Sequence, residues 1–209
     1  MRHGYPIFLD LSQRLVVIVG GGAVASRKAA GLLAGGAGRI RAVAPKFVRD
    51  FPEAVQKITQ AFAPEHLDGA ALVFAATDSP QTNEAVVAEA RSRGILVGRA
   101  DVDDDDPADF VTPAVLRSGA ITVAISAGAP ALAAAVRDSL AGSVTNDWVN
   151  LADALRQIRP RIKSADLPAP RRREIFRALA TAEAAAAAAG GPHALWDWAR
   201  GRFHELGQW

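Results

Sequence analysis

Apolar and polar residues are arranged along the first half of the chain as in an α/β protein. Short, largely apolar runs occupy positions 15–19, 40–44, 71–76 and 95–97, and the first of them consists mostly of β-branched residues. Each run predicts a buried strand. Stretches of helical composition follow at 23–34 and from Pro80 to about Arg93. Alternating strands and helices predict a parallel sheet covered by helices on its faces.

The pattern changes in the second half of the chain. Residues 120–126 alternate as a strand, and a helix is expected at 130–140. From position 147 onward only helical periodicity remains, with expected breaks at Pro160 and at 168–170. We therefore predict an α/β protein with a Rossmann-like parallel-sheet domain, an intervening segment and a small all-helical domain. Their predicted bounds are 1–113, 114–145 and 146–209. Three tail tryptophans are expected to pack in the helical part or a dimer: Trp196, Trp198 and Trp209.

A glycine-rich motif is the candidate binding feature of the first domain. The motif lies directly between the first strand and the first helix and reads Gly20-Gly21-Gly22-Ala23-Val24-Ala25. In this context Gly20 permits a tight turn, and Gly22 lets a pyrophosphate approach the backbone N–H groups of the helix N-terminus. Ala25 is small enough for close helix–strand packing. The motif predicts dinucleotide binding, the alternative being a merely flexible glycine turn.

The second strand leaves the choice between NAD and NADP open. Its end normally carries an acid for the adenosine ribose, and none stands there, because the sequence continues Val43-Ala44-Pro45-Lys46. Lys46 is either a partner for a 2′-phosphate or a surface lysine.

Composition and charge exclude several classes of protein. The 209 residues are 50% hydrophobic and 22% charged, which is globular composition and excludes wholesale disorder. The absence of cysteine excludes disulfides, Cys-ligated metals and thiol nucleophiles. No apolar run has membrane-spanning length and no signal peptide is recognisable, so we expect a cytoplasmic protein that does not enter a membrane.

The charges are distributed unevenly although the net charge is only +2. Acids concentrate at 101–109, and bases concentrate at 156–177. In the first helix, Arg27 and Lys28 are expected to face solvent.

Segments spread along the chain form a more specific pattern. They are Pro6-Ile7-Phe8, the glycine motif extended by Arg27-Lys28, Ala44-Pro45, Ala75-Ala76-Thr77-Asp78 with Asn83, Phe110-Val111-Thr112-Pro113-Ala114, residues 121–126 and the triplet Arg171-Arg172-Arg173. Together they resemble the precorrin-2 dehydrogenase/sirohydrochlorin ferrochelatase module of siroheme synthases. The resemblance is strong to about Leu140 and weaker beyond it.

The resemblance implies oxidation of precorrin-2 to sirohydrochlorin with NAD as the hydride acceptor. In several family members, ferrous iron is then inserted into the product as a second substrate. The resemblance also implies a homodimer in which the dimerisation segment, 114–145, is exchanged between subunits. We expect no resident metal site, and the cofactor to be bound by Gly20, Gly22, Ala23, Val24, Pro45, Lys46, Thr77 and Asp78.

A carboxylate is the expected base, because the chain lacks cysteine and its four histidines are scattered. The family places one aspartate shortly after the strand at 95–97. When the family pattern is matched forward from that strand, the aspartate falls on Asp101. When it is matched backward from Phe110 without gaps, the aspartate falls on Asp103. We favour Asp101, since the end of a strand fixes geometry better than a loop does.

Cations and a turn are expected to bind the tetrapyrrole. Its peripheral carboxylates call for basic partners, for which Arg171, Arg172 and Arg173 are the candidates. The turn with Ser126 and Gly128 corresponds to a substrate-binding turn of the family, but Ala127 stands where some relatives have a second serine.

Two other functions compete with this interpretation. A non-catalytic NAD-sensing Rossmann regulatory protein normally keeps an acid after the second strand. A nucleic-acid-binding protein that uses the basic region needs a recognition motif, and the sequence has none.

Overall fold

The computed structural model describes residues 4–100 and 108–207. The chain divides into two compact units, Met1–Thr112 and Pro113–Trp209. The first unit contains β1 (Leu15–Val19), α1 (Ala23–Ala34), β2 (Arg39–Val43), β3 (Gln56–Ile58), a short 3-10 helix (Pro64–Leu67), β4 (Ala70–Ala75), α2 (Pro80–Ser92) and β5 (Leu96–Arg99).

The first unit is built on a five-stranded parallel sheet with the order β3-β2-β1-β4-β5. All five residues of β1 are buried, because this central strand is covered on both faces. Since β2 and β4 lie on opposite sides of β1, the loops that leave the carboxyl ends of β1 and β4 diverge at this point. Such a switch point is where open α/β sheets bind their ligands. The predicted Rossmann-like sheet is confirmed.

Two apolar layers hold this sheet. On one face Val16 and Ile18 pack with Ala25 and Ala29 of α1. On the other face, alternate residues of β1 pack with α2 and with Leu67 of the 3-10 helix. Each fully buried valine or isoleucine contributes about 1.5–3 kcal/mol through removal from water. The alanines of α1 let this helix lie close to the strands, as expected for Ala25.

The second unit begins with an antiparallel ribbon and continues as helices. It contains β6 (Ala114–Ser118), β7 (Ile121–Ile125), α3 (Pro130–Leu140), a 3-10 turn (Ala141–Ser143), α4 (Asn146–Ser164), α5 (Ala169–Ala178), α6 (Ala182–Ala188) and α7 (Gly191–Arg202). Gly119 turns the ribbon with a φ of +52°. A Cβ at Gly119 would lie 2.5 Å from Cγ1 of Val149 in α4, so the turn also requires a glycine for close packing.

The helices α4 to α7 share one core. Its buried residues include Ile158, Ile175 and Leu195, together with the aromatic residues Trp196 and Phe203. Trp198 packs against the same core, whereas Trp209 lies outside the described residues. The tail aromatics within the described chain are therefore packing residues of the helical part.

A membrane-spanning helix is not found among residues 4–100 and 108–207.

The structure differs from the sequence-based expectations in one helix and in several strands, and β2 and β4 each lie one residue earlier than predicted. Helix α4 does not break at Pro160, although proline removes a helical hydrogen bond. Ile158 and Ile162 are fully buried on either side of it, so core packing keeps the helix continuous. Strands β3 and β6 were not expected, because one is an exposed edge of three residues and the other is only partly buried. Strand β5 begins and ends later than predicted, at Leu96–Arg99.

Candidate functional site

The glycine turn after β1 is packed tightly against two neighbouring loops. Gly20 has a φ of +138°, and a Cβ there would lie 2.1 Å from the carbonyl oxygen of Ala76. A Cβ on Gly21 would lie 2.0 Å from the carbonyl oxygen of Lys46. The backbone N–H of Val48 also donates to the carbonyl of Gly21 at 2.8 Å. The absence of side chains thus brings together the loops that follow β1, β2 and β4.

Gly22 differs from its two neighbours because its open side faces no protein atom. A Cβ on Gly22 would have nothing within 4 Å in the described part of the chain. Gly22 is also the N-cap of α1, where it supplies no side-chain cap, and the first turn of α1 carries no acid. The first N–H groups of a helix have no intrahelical acceptor, and they attract anions together with the helix dipole. The residues therefore fit the diphosphate of a dinucleotide, with Ala23 and Val24 in the first turn.

The loop after β4 is held by a buried asparagine of α2. Asn83 is fully buried. Its Oδ1 accepts from the backbone N–H of Thr77 at 3.1 Å and from the Thr77 hydroxyl at 2.8 Å. Its Nδ2 donates to the Thr77 carbonyl at 3.1 Å. Asn83 is thus a positioning residue for Thr77, whose hydroxyl is engaged within the loop, while Asp78 next to it is exposed.

Pro45 and Lys46 are exposed in the loop after β2. The turn of Gly21 contacts this loop through backbone atoms, and the described loop offers the Lys46 side chain to solvent. All the predicted cofactor residues therefore lie at one edge of the sheet. Their role in binding remains a prediction.

Both candidate bases, Asp101 and Asp103, lie outside the described residues. The residues on either side of them are held to the sheet. Ala100 donates its N–H to the Ala75 carbonyl at 2.9 Å, and Asp109 exchanges hydrogen bonds with the backbone of Val97.

A pocket of about 200 Å³ opens beside α1 at the end of β5. It is lined by Val24, Lys28, Gly98, Arg99, Ala100, Phe110, Val111 and Thr112. Lys28 does not face solvent as expected, because it is half-buried in this pocket. Its Nζ lies 4.9 Å from the centroid of the Phe74 ring and donates to the Thr112 hydroxyl at 3.4 Å.

Burial, followed by repulsion from the Arg27 guanidinium, lowers the pKa of the Lys28 ammonium from its usual value. The sequence signal for Lys28 was its place in the extended glycine motif. Helical periodicity alone gave no hint of the pocket, because Phe110 and Thr112 are distant in sequence.

The predicted substrate-binding residues lie in the second unit. Ser126 and Gly128 are exposed in the turn between β7 and α3. On α5, Arg171 is paired with Glu205 and Glu174, and its guanidinium lies over the Phe203 ring. Arg172 donates to the Leu167 carbonyl.

Arg173, in contrast, is exposed on the same helix. Of the three arginines, Arg171 and Arg172 thus form contacts within the helical unit, whereas Arg173 is exposed to solvent. Substrate binding by these three arginines stays a prediction.

Within residues 4–100 and 108–207, the acidic, histidine and cysteine side chains form no group of three or more able to hold a metal ion.

Comparison with known proteins gives relatives over most of the chain. Siroheme synthases from Nitrosomonas eutropha and Chromobacterium violaceum are 38% and 36% identical to it, over 76% and 80% of this chain. The matched region is 34% and 37% of those proteins, so the chain spans about a third of their length. A solved structure of "SirC, precorrin-2 dehydrogenase" has the same fold, with a TM-score of 0.69 and 24% identity. That alignment covers 85% of this chain and 90% of the solved one.

A family model described as "Putative NAD(P)-binding" matches residues 7–114, which include the whole sheet, the glycine turn and the pocket beside α1. The chain belongs to this NAD(P)-binding family.

Proposed function

We propose that the protein oxidises precorrin-2 to sirohydrochlorin in siroheme biosynthesis, with NAD as the hydride acceptor. The observation that carries the proposal is the open side of Gly22 at the uncapped N-terminus of α1, at the switch point of a parallel sheet. The siroheme synthase relatives and the fold of the precorrin-2 dehydrogenase support the choice of substrate.

In the proposed complex the diphosphate binds to the first turn of α1, formed by Gly22, Ala23 and Val24. The loops with Pro45, Lys46, Thr77 and Asp78 complete the cofactor site, and Gly20 keeps them close enough to do so. Bound NAD supplies the acceptor for the hydride that leaves the substrate. With no acid at the end of β2, we assign NAD over NADP on the family resemblance, and parallel titrations with the two dinucleotides test this assignment.

The oxidation removes a hydride and a proton, so that precorrin-2 and NAD give sirohydrochlorin, NADH and one proton. We assign the proton to a carboxylate of the acidic loop, Asp101 before Asp103. Support comes from Ala100, which is bonded to the carboxyl end of β4 and so starts this loop at the cofactor edge of the sheet.

We extend the same assignment to chelation, in which ferrous iron enters as a substrate. The carboxylate would then accept the pyrrolic protons that the entering metal displaces. We further propose a cytoplasmic homodimer in which the segment 114–145 is exchanged, and binding of substrate carboxylates by Ser126, Gly128 and the arginines of α5. Among these arginines Arg173 is the best placed, because it is exposed.

Alanine substitutions in the acidic loop test the assignment of the base. Asp101→Ala should reduce turnover of precorrin-2 by at least about 100-fold, the range that general acid–base catalysis supplies, and leave the NAD dissociation constant unchanged. Asp103→Ala is the matched control in the same loop and should retain most of the rate.

Loss of turnover in Asp103→Ala instead would place the base at Asp103. Full turnover in both variants would refute a carboxylate base in this loop. Chelation is measured separately, with sirohydrochlorin and ferrous ion in the absence of NAD, so that each of the two reactions has its own readout.

A further inference from the structure

The pocket beside α1 combines two basic residues, Lys28 and Arg99, with apolar walls. Lys28 enters it from α1, one helical turn after Val24, which forms another part of the lining. Phe110 packs edge-on against Phe74, with ring centroids 5.2 Å apart. The glycine at position 98 makes this packing feasible, because a Cβ there would lie 2.8 Å from the Phe110 ring. Phe110 therefore forms a defined aromatic wall of the pocket, and the Lys28 ammonium group lies over the neighbouring Phe74 ring.

Lys28 has only neutral neighbours within bonding distance in the described part of the chain. Its contacts are the Thr112 hydroxyl and the Phe74 ring. The nearby charge that acts on the Lys28 ammonium group is the Arg27 guanidinium, which repels it and so destabilises its charged form. Arg171 of the second unit, which is also half-buried, is paired instead with Glu174 and Glu205.

A partly desolvated cation without a counter-ion is unfavourable, and an arriving anion offsets this cost through a charge-assisted hydrogen bond. The pocket is thus suited to an anionic group. The apolar lining from Val24, Phe110 and Val111 suits a short hydrocarbon stem behind that group.

The anion in this pocket is not the diphosphate of the cofactor. The diphosphate is expected at the N-terminus of α1, and Lys28 is the sixth residue of that helix. At 1.5 Å of rise per residue, Lys28 lies roughly 9 Å further along the helix axis. A carboxylate on a short alkyl stem is the substrate group that fits the pocket, and the tetrapyrrole of the proposed reaction carries such arms.

We infer that Lys28 binds one carboxylate arm of the tetrapyrrole, with Val24, Phe110 and Val111 against the stem of that arm. This inference rests on the proposed function. Lys28 is then a binding and specificity residue that holds the macrocycle at the end of β5, next to the start of the acidic loop.

Binding of sirohydrochlorin to the full-length chain tests the inference. Lys28→Met should weaken the dissociation constant about tenfold, the loss expected for one partly buried charged pair. Lys28→Arg should keep the affinity within about threefold, because the charge is retained. Arg27→Met removes the exposed neighbouring cation and is the matched control, for which the affinity should not change.

Two further ligands identify the group that Lys28 recognises. Fully methyl-esterified sirohydrochlorin should bind wild type and Lys28→Met equally, because its arms are uncharged. NAD should bind all the variants equally. A thermal unfolding curve of Lys28→Met is expected at or above the wild-type midpoint, since the substitution removes a desolvated charge.

The possible contrary results distinguish a failure of this inference from a failure of the proposed function. Equal affinity of Lys28→Met and Arg27→Met for sirohydrochlorin would overturn the inference and leave the proposed function standing. Weaker NAD binding by Lys28→Met would overturn it too, by placing Lys28 in the cofactor site. A lower midpoint with loss of both ligands would make Lys28 structural. A wild-type chain that does not bind sirohydrochlorin at all would refute the proposed function as well.

Discussion

Two cations, Lys28 in the first unit and Arg171 in the second, differ in whether an acidic side chain pairs with them and in the direction in which their pKa is shifted. Lys28 is half-buried against a ring and a hydroxyl, and desolvation lowers its pKa. Arg171 bonds to Glu205 and Glu174, and these hydrogen bonds raise its pKa. The first cation lacks a counter-ion among the described residues, whereas the second is satisfied by its own unit.

Two helix N-termini of the first unit, both at the carboxyl edge of the sheet, differ as well. Helix α2 is capped by Ser79, whose side chain accepts from the Thr82 N–H. Helix α1 has Gly22 as its N-cap, which has no side chain to offer. A Cβ on Gly22 would also meet no atom of the described chain within 4 Å. The uncapped end of α1 together with the open space at Gly22 indicates a ligand site in the first unit.

The largest expected effect is the loss of NAD binding in Gly22→Val. The new side chain would fill the space meant for the diphosphate, so affinity should fall by at least about 100-fold. Stability should fall by about 1 kcal/mol or less, the usual N-cap preference, because no protein atom is displaced. Calorimetric titration and urea unfolding measure the two quantities.

Two glycine variants sharpen this result. Gly31→Ala, in the open interior of α1, should leave NAD binding unchanged. Gly20→Ala should lose about 2–3 kcal/mol of stability, because it combines a positive φ with a clash against the Ala76 carbonyl. If Gly22→Val binds NAD with the affinity of wild type, the N-terminus of α1 is not the binding site of the diphosphate.

A smaller effect is expected from Asn83→Ala. This change leaves the N–H and C=O of Thr77 without their side-chain partner, at a cost of about 2 kcal/mol in unfolding free energy. NAD affinity should fall as well, since the loop after β4 loses its anchor. Glu84→Ala, at the exposed neighbouring position of α2, is the control and should change neither quantity. Unaltered NAD binding in a destabilised Asn83→Ala protein would remove the loop from the cofactor site.

The smallest effects concern the two cations, and they have opposite signs. Arg171→Met should lower the stability of the chain at neutral pH. Pairing with Arg171 lowers the pKa of Glu205 from its usual value. The stabilisation from this pair is therefore present above the ordinary glutamate pKa and is lost as the pH falls through the lowered value. The stability gap between wild type and Arg171→Met should close in acid.

Lys28→Met should be at least as stable as wild type at neutral pH. Because the folded-state pKa of Lys28 is lowered, the unfolded chain binds more protons between that pKa and the ordinary lysine value. Wild-type stability should rise relative to Lys28→Met across this window, and the gap should close above it. Urea unfolding at neutral, acidic and alkaline pH measures both gaps. A parallel pH response of the two variants would contradict the contrast between the cations.

Local sequence patterns were sufficient for most of the first unit. The β-branched run of β1 and the glycines after it predict a buried strand and a tight turn from adjacent residues alone, and both appear as expected. Lys28 was misjudged because a basic residue on an amphipathic helix normally faces solvent, and its pocket is closed by Phe110 and Thr112 from a distant segment. Pro160 was misjudged for a related reason, since buried isoleucines of the helical core outweigh its local preference.

The candidate site, like the fold, was predictable where it depends on residues adjacent in sequence and was not predictable where it depends on distant ones. The glycine motif identified the carboxyl edge of the sheet, because its function depends on backbone atoms and on strand–helix context. The pairing of Arg171 with Glu205 joins positions far apart in sequence, so a basic triplet could not reveal that one member is used for packing.

An anaerobic reaction of the full-length chain with precorrin-2 and NAD tests the central claim most directly. Sirohydrochlorin and NADH are followed together by their absorbance. We expect equal amounts of both products with wild type, and neither product with Gly22→Val. A wild-type chain that binds NAD but forms no sirohydrochlorin would contradict the account and favour a non-catalytic, NAD-sensing protein.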